Sequence, residues 1–458
     1  MEKKISISDV FTPTRFPTYS YVTRHANYES SLQLCIESGF IAFIHGPTKS
    51  GKTVLAERVA REIEYSTHKI SARNFTSTND FWETIASQLG IQDSITETKS
   101  AGKSEKKSIS WFAKITAWFA AEASFGGAIE KGQDTSVDVS KTYTVDPITV
   151  LKRKEKRKLL VIVDNFHYIQ NQRIQKELLQ ELRNLLDYVS LIIIAITDKP
   201  DYLNMIEGEL VGRNRAITIG EWTNQELMDI AQKGFKRLNI ELSPLVLQEL
   251  NRECMSAPAI MQAICLYLGL FLGHKTMSDK AITISQNEIG SFLNKACGEA
   301  SRLFDNTQVY NTLINMTNKL VGDMARVRIR TQSSRNLSDD PAVSIPEAVL
   351  QAFASQSGLV MTLPELKNIY NKVIIVRHQN QNIDFDKILE AMHQSSEAIW
   401  REQIQQQHLD HVEDVQKANI DIEISLLIYD KVKELISIQD PYFAFFTRWS
   451  GHIRGINL

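Results

Sequence analysis

Two stretches of this chain have no polar face. KLLVIVD (158–164) and LIIIAIT (191–197) are apolar at every position except their ends. A strand with one wet face alternates polar with apolar. A strand apolar on both faces belongs inside a sheet that is covered on both sides. Other runs fit the same layout. FIAFIH (40–45) precedes TVLAERVAREIE (53–64), where Val54, Leu55, Val59 and Ile63 recur at helical spacing. HKISARNF (68–75) reads as the next strand and NDFWETIASQL (79–89) as a helix capped by Asn79. IQKELLQELRNLLDYV (174–189) is an amphipathic helix and AITIGEW (216–222) a fifth strand. Strands alternating with helices predict an α/β fold around a parallel five-stranded sheet.

The loop after the first strand reads Gly46-Pro47-Thr48-Lys49-Ser50-Gly51-Lys52-Thr53, with Val54 opening the helix. It fits G-x-x-x-x-G-K-[ST] between a strand and a helix, the context that pattern needs. Glycines let successive backbone N–H groups face one phosphate, and the helix start adds its positive end. In such a loop Lys52 reaches the β- and γ-phosphates and the Thr53 hydroxyl holds Mg²⁺. Asp164, at the end of the third strand, is the second expected Mg²⁺ ligand. Asn165 follows it. An asparagine orients a water but takes no proton from it, so either ATP hydrolysis is slow, as expected here, or the base comes from elsewhere. His167 lies close by, as a structural residue or a catalytic one. Thr197 ends the fourth strand at the same sheet edge and is read either as a γ-phosphate sensor or as a plain strand end. Arg213 and Arg215 precede the fifth strand, either as surface arginines or as fingers reaching a neighbouring subunit's phosphate.

Composition narrows the class. At roughly 150 residues per domain, 458 residues suggest about three domains. Lys+Arg total 52 and Asp+Glu 54, so the net charge of −2 excludes a histone-like binder and a polyacidic chain. Four cysteines with no C-x-x-C pair argue against a disulfide framework or a zinc site and for a cytoplasmic chain. No apolar leader follows the N-terminal lysines. The stretch 109–129 is apolar but carries Lys114 and Glu122. It reads as part of an insertion (91–158) packed on the protein, or as a helix docking on a partner or membrane surface, and not as a transmembrane segment. The insertion ends in the basic run 152–158, a solvated helix end or a phosphate-contacting patch.

After Trp222 the strands are expected to stop. Helices are read at 223–239 and 243–255, capped by Thr223 and Ser243, then at 257–272 and 284–304. A linker is expected at 331–344, then helices at 346–354, 363–372 and 384–401. EISLLIYDKVKELISIQDP then places two short apolar runs around a polar turn. Helices followed by a hairpin suggest a winged-helix-like module. The expected domains are therefore a core (1–222), a helical lid (223–304) and a mostly helical C-terminal region (305–458).

These features resemble the STAND class of P-loop NTPases and the origin-recognition-like AAA+ ATPases. PTYSYVTRHANYESSL (17–32) is similar to their N-terminal Tyr-Val-x-Arg box, which would set Tyr21 and Val22 beside the adenine. VIVDNFHYI (161–169) resembles their Walker B, with Asn165 where a second acidic residue is usual. LVGRNRAITIGEWTNQEL (210–227) resembles their arginine-bearing turn and lid opening, and SAPAIMQAIC (256–265) the lid motif, with Pro258 on the nucleotide and Ala257 where glycine is usual. The resemblance implies a switch that holds ADP closed, exchanges it for ATP and then assembles as a homo-oligomer, in bacterial signalling or antiviral defence, working on a protein effector. The alternative is a DNA-binding AAA+ ATPase of the origin-binding or transposition-regulator type. It would use the winged module, Lys431 and Lys433 on the wing, and Arg326, Arg328 and Arg330. A scaffold with a dead nucleotide site is the third reading, opposed by Lys52, Thr53 and Asp164.

Overall fold

The computed structural model describes residues 4–88, 159–169, 171–186, 189–322, 327–328, 342–356, 358–373, 383–407 and 425–450. The insertion 91–158, with its apolar stretch and basic run, lies outside the described residues, as do Arg326 and Arg330.

A short helix α1 (Ile7–Val10) opens the described chain. The core sheet holds β1 (Ile41–His45), β2 (Ser66–Ser71), β3 (Leu159–Asp164), β4 (Val189–Ile194) and β5 (Asn214–Thr218). All pairings are parallel, in the order β2-β3-β4-β1-β5. Its two faces show the period of two that strands impose. Phe43, Val161, Val163, Leu191 and Ile193 face one side, in one core with residues of helices α4 (Thr78–Gln88) and α5 (Gln172–Asn184). Ala42, Ile44, Leu160, Ile162, Ile192 and Ile194 face the other, with α2 (Tyr28–Glu37) and α3 (Lys52–Glu62). A short helix α6 (Tyr202–Ile206) precedes β5.

Several boundaries differ from expectation: β2 starts at Ser66 and ends at Ser71, and α5 runs from Gln172 to Asn184. Helix α4 begins at Thr78, so Asn79 is inside it; the Asp80 carboxylate accepts the N–H groups of Thr76 (2.7 Å) and Ser77 (2.9 Å) instead. β5 runs from Asn214 to Thr218 and leaves 219–222 outside the strand.

Beyond this segment come α7 (Asn224–Arg237), α8 (Pro244–Glu253), α9 (Pro258–Phe271) and α10 (Gln286–Leu303). Thr223 caps α7 through a reciprocal pair with Glu226. Ser243 makes no side-chain cap, and Pro244 at the first turn has no N–H to offer. Strands do not stop at Trp222. β6 (Ile240–Leu242) and β7 (Ile282–Ile284) pair in parallel at the edge of this layer, too short to show a period in sequence. The N-terminus packs into the same layer. A Cβ on Gly234 would lie 2.3 Å from Phe11 and one on Gly269 2.0 Å from Ile7, so those two glycines make room for the segment. Burying a side chain like Ile7 or Phe11 stabilises by roughly 1.5–3 kcal/mol, which ties this segment to the lid.

The C-terminal region holds α11 (Thr307–Val321), a two-residue pair β8 (Val327–Arg328) and β9 (Ala342–Val343), then α12 (Ile345–Ala354), β10 (Val360–Thr362), α13 (Leu363–Val373), α14 (Phe385–Gln407), β11 (Leu427–Asp430), β12 (Leu435–Ile438) and α15 (Pro441–Trp449). The expected hairpin is present, and β10 adds a third strand, in the order β10-β12-β11. This is a winged-helix-like arrangement. The last helix joins two cores. Phe443 and Phe446 belong to the C-terminal one and Phe445 to that of the lid. Arg448 seals the joint, with Nε 2.9 Å from Glu253 Oε2 on α8.

Candidate functional site

The parallel sheet directs its strand C-termini to one edge, where the loop 46–51 links β1 to α3. Gly46 has φ +137°, and a Cβ there would lie 2.2 Å from the Ile219 carbonyl oxygen. Gly51 (φ +89°) caps α3 from the left-handed region, beside the Trp222 ring. Neither position accepts a side chain without strain. The loop therefore curls tightly and turns the free N–H groups of the first helical turn toward its mouth.

Lys52 is buried at the start of that helix. Its ammonium donates to the carbonyls of Gly46 (3.0 Å) and Pro47, and lies 3.4 Å from the Ser50 hydroxyl. Burial pushes its pKa down to about 8, against the raising effect of Asp164. The Thr53 hydroxyl donates to Asp164 Oδ2 at 3.0 Å, which brings together the two oxygens expected to hold Mg²⁺. Lys69, on β2, stands 3.7 Å from the same carboxylate oxygen and 2.8 Å from Glu57. Asn165 adopts φ +63° and its amide donates to the Ser71 hydroxyl at 3.1 Å.

A cleft of about 1190 Å³ opens over this loop. Three parts of the chain wall it. The core contributes 48–54, Asp164, Asn165 and Trp222, the helices beyond it Pro258 and Gln262, and the C-terminal region Asn306 and Tyr442. Tyr21 and Val22 line it from the N-terminal segment. The Tyr21 hydroxyl donates to Glu29 at 2.5 Å, and burial together with that contact pushes its phenol well up. Gly46 and Pro47 sit behind the mouth of the loop. Thr197 lies outside the cleft, in a separate groove with Arg173 and Tyr202. Its hydroxyl accepts from the Lys199 N–H (3.1 Å), and its carbonyl is 3.1 Å from His45 Nδ1. Arg213 and Arg215 are exposed at the opposite, N-terminal edge of β5, away from their own loop.

Arg24 ties the parts together. It is buried, with its guanidinium 4.7 Å from the Trp222 ring centroid and 5.2 Å from that of Tyr28. It donates to the carbonyls of Gly220 (3.0 Å) and Glu221, and its Nε is 3.4 Å from Glu226 Oε2. Glu226 also accepts the N–H groups of His25 and Thr223, both at 3.0 Å. Burial alone would raise that carboxyl, but the N–H donors and Arg24 hold it below the usual range. Trp222 Nε1 donates to the Ser50 carbonyl at 2.9 Å, so the lid opening touches the phosphate loop directly. On the far wall Lys49 Nζ sits 4.6 Å from the Tyr442 ring centroid. Sequence reasoning missed Lys69, Arg73 and Tyr442. They come from an edge strand, a short turn and the last helix, and none carries a motif.

Residues 37–203 match the family model of the AAA domain. The phosphate loop, Asp164 and Asn165 all fall inside the matched stretch, which carries the fold and phosphate loop of an AAA-type P-loop ATPase. No curated protein matches the chain. Among solved structures, it resembles the Walker-type ATPase PABY2304 of Pyrococcus abyssi at 12% identity, covering 93% of this chain and 96% of that one, with a TM-score of 0.43. It also resembles the Aeropyrum pernix ORC1 protein solved in complex with DNA, at 10% identity, 99% and 98% coverage and a TM-score of 0.40. The Thermotoga maritima RuvB Holliday junction branch migration motor matches at 12% identity, 66% and 79% coverage and a TM-score of 0.36. Among the described residues no helix is long and apolar enough to cross a membrane.

Proposed function

We propose that this chain is a nucleotide-dependent conformational switch of the STAND type. ATP or ADP would sit in the cleft, with phosphates on 48–53 and the base toward Tyr21, Val22 and Pro258. The observation that carries the reading is the composition of the cleft wall. Core, lid and C-terminal region all contribute to it, so a bound nucleotide touches every part whose arrangement could change. A ligand shifts such an equilibrium by its difference in affinity between two arrangements.

Thr53 and Asp164 would hold Mg²⁺, since paired oxygens suit a hard cation. Bound there, the ion would neutralise charge on the phosphates. Lys52 would turn from its loop carbonyls to the β- and γ-phosphates. Asn165 would orient water without accepting its proton, which supports slow hydrolysis. Arg213 and Arg215, exposed at the far sheet edge, would serve a neighbouring copy, and the ATP state would then be a homo-oligomer. The working division is a core (1–222), a lid (223–304) and a C-terminal region (305–458), with α1 riding on the lid. Output would pass to a protein effector, in signalling or antiviral defence.

The alternative, a DNA-binding ATPase, finds less support. In a winged-helix arrangement α14 is the helix that would enter a groove. Its accessible side chains set Asp386, Glu390 and Glu397 beside Lys387 and Arg401, so the helix offers phosphates no excess of positive charge. The wing lysines are already paired, Lys431 with Glu390 (2.8 Å) and Lys433 with Asp430 (3.3 Å).

Light scattering with ADP, then with ATP and Mg²⁺, with and without duplex DNA at two salt concentrations, tests the proposal. Assembly with ATP alone, lost in Lys52→Ala, is the expected result. Assembly only on DNA, weakened by salt, would replace the switch with the DNA reading.

A further inference from the structure

His167 is a buried polar group at the cleft with no part in holding the phosphates or Mg²⁺. It lies three residues after Asp164, on the short turn Phe166–Tyr168 that Asn165 opens. The side chain is 3% exposed and lines the cleft together with Lys52, Asn165 and Arg73. The sheet order sets β4 between β3 and β1. The turn therefore meets the end of β4 next to the phosphate loop, and His167 Nδ1 lies 3.2 Å from the backbone nitrogen of Ile196.

That contact fixes the tautomer. A backbone N–H only donates, so Nδ1 accepts, and the proton of the neutral ring is on Nε2. Burial, with Lys52 and Arg73 nearby, pushes the imidazole down to about 3, so the ring is neutral at ordinary pH. Nε2 is shielded from solvent and has no hydrogen-bond partner among the described residues. A buried donor left unmatched is uncommon and unfavourable. Here it lies in the wall of an anion-binding cleft, close enough to Lys52 for that charge to act on it.

We infer that His167 Nε2–H is the donor that recognises the terminal phosphate of the bound nucleoside triphosphate. The inference rests on the proposed nucleotide site and adds the group that separates ATP from ADP. ATP supplies an acceptor oxygen at this end of the cleft, and ADP does not. A buried donor that one ligand satisfies and the other leaves unpaired discriminates strongly between them. It takes up the part that sequence reasoning offered to Thr197, whose polar atoms are engaged outside the cleft. Its contact with the Ile196 N–H, just beyond β4, orients the ring at the sheet edge.

The test compares affinities for ADP and for a non-hydrolysable ATP analogue, with Mg²⁺, by titration calorimetry. His167→Asn keeps an acceptor for the Ile196 N–H and withdraws the Nε2 donor. His167→Gln carries an N–H nearer the original position. Thermal melting checks that both variants fold. The expected result is a loss of about tenfold in affinity for the ATP analogue in His167→Asn, with ADP affinity within about twofold, and partial recovery in His167→Gln. Equal losses for both nucleotides, or no loss, while the wild type binds both, would overturn this inference alone. A wild type that binds neither would overturn it together with the nucleotide site.

Discussion

Arg24→Met tests how the lid is held to the core. The substitution keeps an unbranched apolar stem and removes the guanidinium. It takes away the ion pair to Glu226, the carbonyl contacts to Gly220 and Glu221, and the stacking on Tyr28 and Trp222. Both partners of the pair are nearly buried, with side chains 9% and 4% exposed. Removing one partner of a buried pair costs about 3–5 kcal/mol. Glu226 keeps the N–H groups of His25 and Thr223, so the expected cost is at the lower end, about 3 kcal/mol. Urea unfolding followed by circular dichroism and by tryptophan fluorescence reads it. Adding Glu226→Gln should restore part of the loss, because the carboxylate left without its cation is then neutral. A coupling of at least about 1 kcal/mol is expected in the double-mutant cycle. A cost below about 1 kcal/mol for Arg24→Met, or simple additivity, would refute the idea that this pair clasps the lid.

Other consequences follow from the same geometry. Gly46→Ala should abolish nucleotide binding, because its Cβ would meet the Ile219 carbonyl at 2.2 Å in a left-handed backbone; calorimetry on the folded variant checks this. Lys52 should lose its proton as pH rises through about 8, so ATP affinity should be level below that and fall above it. Glu226 has a depressed folded-state pKa. Its stabilising effect is present above the unfolded carboxyl pKa and is lost as pH falls through the folded value, so melting of wild type minus Glu226→Gln should converge in acid. Tyr442→Ala removes the ring under Lys49 and should weaken the C-terminal contact with the loop by about 0.5–1 kcal/mol, read as faster hydrogen exchange in 46–51.

The central strands and the phosphate loop were legible because their signals are local. β3 and β4 are continuous apolar runs, and Gly46 and Gly51 sit where the backbone excludes side chains. β2 was harder to delimit. It is an edge strand that begins Ser66-Thr67-His68, with only Ile70 buried. The end of β5 was misjudged because Ile219 continues the apolar run, while Arg24 takes up the following carbonyls. Thr197 looked well placed by strand order, but its hydroxyl turns to Lys199. Tyr442 could not be read at all. It joins the cleft only through the docking of α15 on the lid core, which depends on Phe445 and on the Arg448–Glu253 pair. His167 was visible as a residue near the site. Its fixed tautomer and unmatched donor exist only in three dimensions.

The central claim is that ADP and ATP favour different arrangements of the core against the C-terminal region. The four native cysteines are buried, so cysteines introduced at exposed Lys176 on α5 and Val432 on the wing would take dyes selectively. Energy transfer between them, measured with ADP and then with a non-hydrolysable ATP analogue, follows the two parts directly. The account predicts distinct transfer efficiencies for the two nucleotides, and no difference in Lys52→Ala. Equal efficiencies, with both nucleotides shown to be bound, would contradict it.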